Sequence, residues 1–543
     1  MLGCEKQELR LHRLLLLLLA VCVTRLWLMP LASSFWVDEM VTAFVVREGP
    51  SHPSLAVAPQ VAQSIYYFLL RDADALFGFS EVAYRLPSIL IMGIALFLIA
   101  RLAARLIHPQ AGWFAAFACL ALSSINYQAA DARPYGLGIC VVAASLLFLV
   151  RWLDSPGWGE VLLFFLFAGL LWRVHLTFWP LYIVFLLYAF VRVARGETRV
   201  GWLHACAVFA LLGLTLLPVL LDALALLREA SAHVIVPVPS SRVLVNSLKL
   251  GLVAVCGIGA WLFNAETAVR SPIPENAGGA SSVAPLRVSR CWQRPPDAIT
   301  PSWTSFILIL AWWLCHPLFL FAFSLLSGNS VFLPRYLSVA LPGGVLAATF
   351  AAGLYMPSAR WKPMALLLGA GVLLNMGQWH DLWPRHDISD WRAAVQKINE
   401  LALGPETPVL CPSPFIEARP PAWQPDYRLP GFLYSHLLVY PIPGRPYLFP
   451  FENSPEAARL AMTLSKETLS ASGRFVIYGG DRNVRYWRAW FAGRPELAGW
   501  RQTRLGPFGN VDVVVFQNRA AVDRGQQKEG SPGTAGMTNN KEP

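Results

Sequence analysis

Asp38 and Glu39 stand side by side in the segment Ser34-Phe35-Trp36-Val37-Asp38-Glu39-Met40, a few residues after an apolar run that ends near Leu31. Carboxylates at the end of a membrane-length run can act in two ways. One is to take a proton from a nucleophile at the boundary between lipid and water. The other is to cap a short interfacial helix, favoured by the positive end of its dipole. Cations facing the same compartment could balance the acids or hold an anionic group, and the candidates are Arg85, Arg133 and Arg335.

The elements that must position these residues are membrane helices. Apolar runs recur near 14–31, 88–107, 111–126, 136–153, 160–174, 177–191, 203–221, 243–263, 304–325, 337–356 and 363–379. At about 20 apolar residues per crossing they amount to roughly eleven spans of a polytopic helical membrane protein. The net charge of +11 does not imply nucleic acid, because the basic residues fall where cytoplasmic loops should be. These are Lys6, Arg10 and Arg13, then Arg101 and Arg105, Arg151, Arg192, Arg195 and Arg199, Arg270, Arg287, Arg290 and Arg294, and Arg360 with Lys362. The opposite loops then carry Asp38, Glu39, Asp131, Arg133, His175, His233, Arg335 and Tyr336, and everything from His380 onward lies outside with them. Nearly all plausible chemistry is on one face, periplasmic in a bacterial inner membrane. The first run also competes as a signal peptide, with Ala32-Ser33-Ser34 as small residues for cleavage. Most of the nine cysteines lie inside spans and none forms a Cys-x-x-Cys pair, so no disulfide framework or cysteine metal site is expected.

Beyond residue 380 the pattern changes. Asp390-Trp391-Arg392 reads as a helix start, Pro408-Val409-Leu410, Arg474 to Tyr478 and Val511 to Phe516 read as strands, and Val484 to Phe491 as a helix. A small soluble α/β domain over 380–518 follows, after a transmembrane domain over 1–379 and before a polar tail, 519–543, expected to be disordered. The first outer loop, 32–84, holds two partly apolar stretches, Met40 to Val46 and Ile65 to Leu70, suited to lying in the interface. Interfacial helices beside an acidic pair suit a substrate with its tail in the bilayer and a polar head in water, the geometry of a polyprenyl-phosphate sugar. Transfer from such a donor needs one base for the acceptor's proton and cationic groups for the departing phosphate. Phosphate leaves as a stable anion, so the paired carboxylates of glycoside hydrolysis are not required.

In their order these residues resemble the family 39 type membrane glycosyltransferases of the C superfamily, which include protein O-mannosyltransferases and the aminoarabinose transferase of lipid A modification. The matching pieces are Trp36-Val37-Asp38-Glu39, Tyr66-Tyr67, Tyr84-Arg85-Leu86-Pro87-Ser88, Asp131-Ala132-Arg133-Pro134-Tyr135, His175, Pro334-Arg335-Tyr336-Leu337 and Asp390-Trp391-Arg392. The resemblance implies a GT-C fold and a polyprenyl-phosphate-sugar donor. It also implies catalysis by the first-loop acidic pair, with Asp38 as the base and Glu39 supporting it or binding a cation. The positions before Tyr66-Tyr67 read Gln63-Ser64-Ile65, a departure from the His or Pro-Pro-Leu run common in the family.

Each remaining residue has a functional and a plainer reading. Arg335 suits phosphate binding, or serves as an interfacial anchor with Tyr336 as a belt aromatic. Asp131 and Arg133 form a structural ion pair or contact substrate, with Tyr135 packing beside them. Arg85 anchors its helix where it enters the membrane and could balance the acidic pair. Tyr67 and His175 are further candidates for substrate contact. A divalent metal, if used, would draw on Glu39 and His175. The expected activity is inverting transfer of a sugar to a lipid, glycan or protein acceptor on the outer face. A lipid or polysaccharide transporter would place ionisable residues near the midplane of its spans, and here the spans are almost free of charge. A non-catalytic envelope-assembly protein would not need the acidic pair.

Overall fold

The computed structural model describes residues 2–48, 64–230, 237–270, 302–328, 330–375, 383–415, 418, 432–451 and 454–518. His233, Arg287, Arg290, Arg294, His380 and the expected tail 519–543 lie outside them. The chain divides into two compact units, one of Met1–Ser33 with Val45–His386, the other of Ser34–Phe44 with Asp387–Pro543.

The first unit is a helical bundle. Among the described residues seven helices are long and apolar enough to cross a membrane, or eight with the bent pair Ser241–Ser247 and Leu250–Phe263. The chain is an integral membrane protein. This count over the described residues compares with the roughly eleven read from the sequence, and the described parts of those runs are largely helical. The three runs outside that set hold the described helices Gly112–Leu120, Trp158–Val174 and Trp361–Asn375, of 9, 17 and 15 residues.

Glu81–Leu106 shows how these helices are built. The Ser80 hydroxyl caps it by accepting the Ala83 N–H at 3.1 Å. Ile89, Met92, Leu96 and Ile99 recur at helical spacing and are buried, whereas Leu90, Ile94 and Phe97 on the opposite face are 61, 54 and 63% exposed. An apolar outer face of that size belongs against lipid tails. Tyr135–Asp154 and Tyr336–Gly353 occupy the centre, with 89% of their most apolar stretches buried, against 17% for Trp202–Leu224. Gly343 permits the closest helix approach there, since a Cβ on it would lie 2.5 Å from the Trp313 backbone nitrogen. At one end Asp154 accepts from Arg105 and Arg192, each at 2.7 Å, and Arg151 pairs with Glu160 at 3.1 Å. These arginines come from loops the charge pattern assigns to the cytoplasm.

The second unit is an α/β structure around five strands: β1 (Pro408–Pro412), β2 (Arg445–Phe449), β3 (Arg474–Gly480), β4 (Arg501–Arg504) and β5 (Val511–Gln517), in the order β2-β1-β3-β5-β4. β2, β1 and β3 run parallel, while β5 is antiparallel to both β3 and β4. Phe449, Phe475, Ile477, Trp487, Phe491, Val514 and Phe516 fill one core face. Residues 34–44, expected with the membrane helices, pack with this unit.

Candidate active site

The acidic pair opens the helix Val37–Arg47. Glu39 is fully buried, and its Oε2 accepts the Trp36 N–H at 3.2 Å. This is the back-bond of a capping box, in which a third-position glutamate satisfies the N–H at the helix start. The Thr42 hydroxyl donates to the Asp38 carbonyl at 3.2 Å, closing the first turn. Asp38 is only half-buried. The pair differs in burial: Glu39 is buried with Oε2 on the Trp36 N–H, and Asp38 is half-buried.

In the helical unit three motifs far apart in sequence converge. The His175 ring lies 4.9 Å from the Tyr336 ring and 5.6 Å from that of Tyr135, and the two phenol rings are 6.1 Å apart. The Arg133 guanidinium carbon is 5.8 Å from the Tyr135 ring centre, and that of Arg335 is 5.6 Å from the Tyr336 ring centre. The positions follow from local backbone. His175 ends the helix Trp158–Val174 and caps the turn Leu176–Phe178 by accepting the Thr177 N–H on Nδ1 at 3.3 Å. Arg335 precedes the 3-10 turn Tyr336–Ala340 that leads into Leu341–Gly353. Burial, with the charges of Arg133 and Arg335, pushes the His175 pKa down to about 3, so the ring is neutral. A backbone N–H can only donate, so Nδ1 is the acceptor and the ring proton sits on Nε2. Two guanidinium groups, two phenols and an imidazole N–H are the kind of donor set that can hold an oxyanion. The same surroundings do not fit His175 as a ligand for a divalent cation, because two positive charges already press on it.

Other expected residues have different surroundings. Arg85 is fully buried, and its Nη1 donates to the carbonyls of Leu31 at 2.8 Å and Ser33 at 2.6 Å, closing the end of the first helix. Buried Asp131 presents Oδ1 to His386 Nε2 at 3.5 Å, and the His386 ring packs 4.1 Å from that of Tyr127. Asp131 and His386 are among the side chains placed to take up a cation. Tyr67 is buried edge-on against Tyr66, whose hydroxyl shares a 2.7 Å hydrogen bond with Ser88. Ser64, which starts that helix, donates to the Val174 carbonyl at 2.9 Å, next to His175.

Two histidines were not singled out from the sequence. His316 Nε2 meets the Tyr336 carbonyl at 2.9 Å and so holds the backbone of the anion site. A histidine inside an apolar span was the available signal. His386 had none, standing in a polar stretch without a pattern.

Comparison with known proteins agrees with the motifs. No curated protein sequence matches the chain. Among the solved structures that align with it are those of ArnT from Cupriavidus metallidurans in the apo state and bound to undecaprenyl phosphate. Each is 13% identical and covers 92% of this chain and 97% of that chain, with TM-scores of 0.47 and 0.46. Residues 64–221 match the family model described as dolichyl-phosphate-mannose-protein mannosyltransferase. That stretch takes in Tyr66-Tyr67, Tyr84 to Ser88, Asp131 to Tyr135 and His175, begins after Asp38 and ends before Arg335. Over those residues the match bears out the reading from the motifs: this chain resembles the family 39 type membrane glycosyltransferases.

Proposed function

We propose that the chain is an inverting membrane glycosyltransferase that moves a hexose or pentose from a polyprenyl-phosphate donor to an acceptor hydroxyl or amine on the periplasmic face. The observation that carries this is the cluster of Arg133, Tyr135, His175, Arg335 and Tyr336, whose donors and charges suit a phosphate monoester or diester. The family model's own named donor class, a dolichyl-phosphate mannose, supports the lipid-phosphate choice. In the reaction the acceptor attacks the anomeric carbon from the face opposite the phosphate. The bond from that carbon to the phosphate oxygen breaks, its electron pair leaves with the phosphate, and the acceptor's proton passes to Asp38. The guanidinium groups of Arg133 and Arg335 stabilise the charge that grows on the leaving oxygen. The acceptor is a lipid, a glycan or a protein.

The test is lipid mass spectrometry of membranes from cells carrying the native chain, no chain, or the Asp38→Asn form. One polyprenyl-monophosphate sugar is expected to accumulate in both the null and the Asp38→Asn cells, with the variant inserted and folded. Glu39→Gln keeps an acceptor for the Trp36 N–H, so it is expected to lose less than about tenfold in turnover. Unchanged polyprenyl-phosphate sugars, with another lipid stranded on the cytoplasmic side, would replace this reading with transport.

A further inference from the structure

Ser34 and Phe35, the residues leading into the acidic helix, are 3% and 0% exposed. The Phe35 N–H donates to the Tyr440 phenol oxygen at 2.8 Å, and the Ser34 hydroxyl donates to the same oxygen at 3.3 Å. Ser34 Oγ in turn accepts the Arg392 N–H at 3.3 Å. Both anchors are fixed. Tyr440 ends the short helix Ser435–Val439, with its N–H on the His436 carbonyl at 2.9 Å. Arg392 lies in the first turn of Trp391–Glu400, where N–H groups lack partners within the helix. That turn is capped by Asp390, which accepts the Ala393 N–H at 3.0 Å and donates its own N–H to the Phe508 carbonyl at 3.1 Å.

Only Trp36 and Val37 separate this anchored dipeptide from Asp38, and Glu39 ties Trp36 back into the helix. Little slack is left between the phenol and the carboxylate. We propose that Tyr440, with the Asp390-Trp391-Arg392 turn, is a positioning element that sets where the Asp38 carboxylate stands. The motif Asp390-Trp391-Arg392, which carries no reacting group, thereby acquires a role. The inference rests on the reading of Asp38 as the base.

The experiment uses the full chain in lipid nanodiscs, with Tyr440→Phe and, separately, Ser34→Ala. Backbone hydrogen exchange over residues 34–39 reports the docking without reference to activity, and is expected to quicken in both variants. Transfer kinetics report the consequence. Because a misplacement of about 1 Å can cost about 100-fold, the turnover number is expected to fall at least about tenfold with the donor KM unchanged. The double variant is expected to lose less than the product of the single losses, since both bonds meet at one oxygen. Unaltered exchange over 34–39, unaltered turnover, or a loss confined to donor KM would each overturn the proposal. Failure of the base reading is seen separately, as transfer surviving Asp38→Asn.

Discussion

A guanidinium group near a phenol face gains a cation–π contact, and the ring shields one face from water. Arg133 and Arg335 each have this arrangement in the helical unit, and neutral His175 adds a donor without adding repulsion between cations. Removing one guanidinium should therefore weaken ground-state holding of the phosphate more than it changes proton transfer. Arg335→Ala is expected to raise the donor KM about 10- to 100-fold, the range for a hydrogen bond to a charged group, with a smaller effect on turnover. Initial-rate kinetics over a donor-lipid series would check it, and an unchanged KM would move the phosphate role to Arg133. The types of these residues were legible in the sequence, because cations and aromatics next to proline at span ends stand out. Their meeting was not, since Arg133 and His175 are 42 positions apart and His175 and Arg335 are 160 apart.

At the level of elements, Gly343 is a packing device that hydropathy does not reveal. A side chain there would press on the backbone at Trp313, so Gly343→Val is expected to destabilise the bundle by about 1–3 kcal/mol. Thermal unfolding in detergent would show it as a lowered midpoint. In the α/β unit, His436 is enclosed by the rings of Trp391, Tyr434 and Tyr478, and burial pushes its pKa from 6.5 down to about 3. Between those values the unfolded chain binds a proton that the folded one does not. Stability is therefore lost as pH falls below about 6.5, by up to about 1.4 kcal/mol per pH unit. Protection factors in β3, with the intrinsic pH dependence of exchange removed, should fall on acidification accordingly, and His436→Phe should flatten that dependence. β1, β3 and β5 announced themselves as β-branched runs. β2 and β4 did not, because edge strands such as Arg445–Phe449 and Arg501–Arg504 are partly exposed and free to be polar.

For the whole molecule, apolar periodicity revealed the membrane helices and the α/β character of the C-terminal unit, because both depend on short-range pattern. It did not reveal that Ser34–Phe44 belongs with the C-terminal unit, which depends on bonds such as that between Ser34 and Tyr440, 406 residues apart. Within the described residues an apolar run can also be broken, as the run near 111–126 is, into the shorter helices Gly112–Leu120 and Ser123–Ala129. The gathering of Tyr135, His175 and Tyr336 from three distant stretches has a consequence for biosynthesis. A nascent chain that has inserted its first helices already carries Arg133 and His175, yet lacks the half of the anion site that Arg335 and Tyr336 supply. On the proposed function, capacity to engage a lipid phosphate thus arrives late, after the helix Trp303–Ser327 is in place.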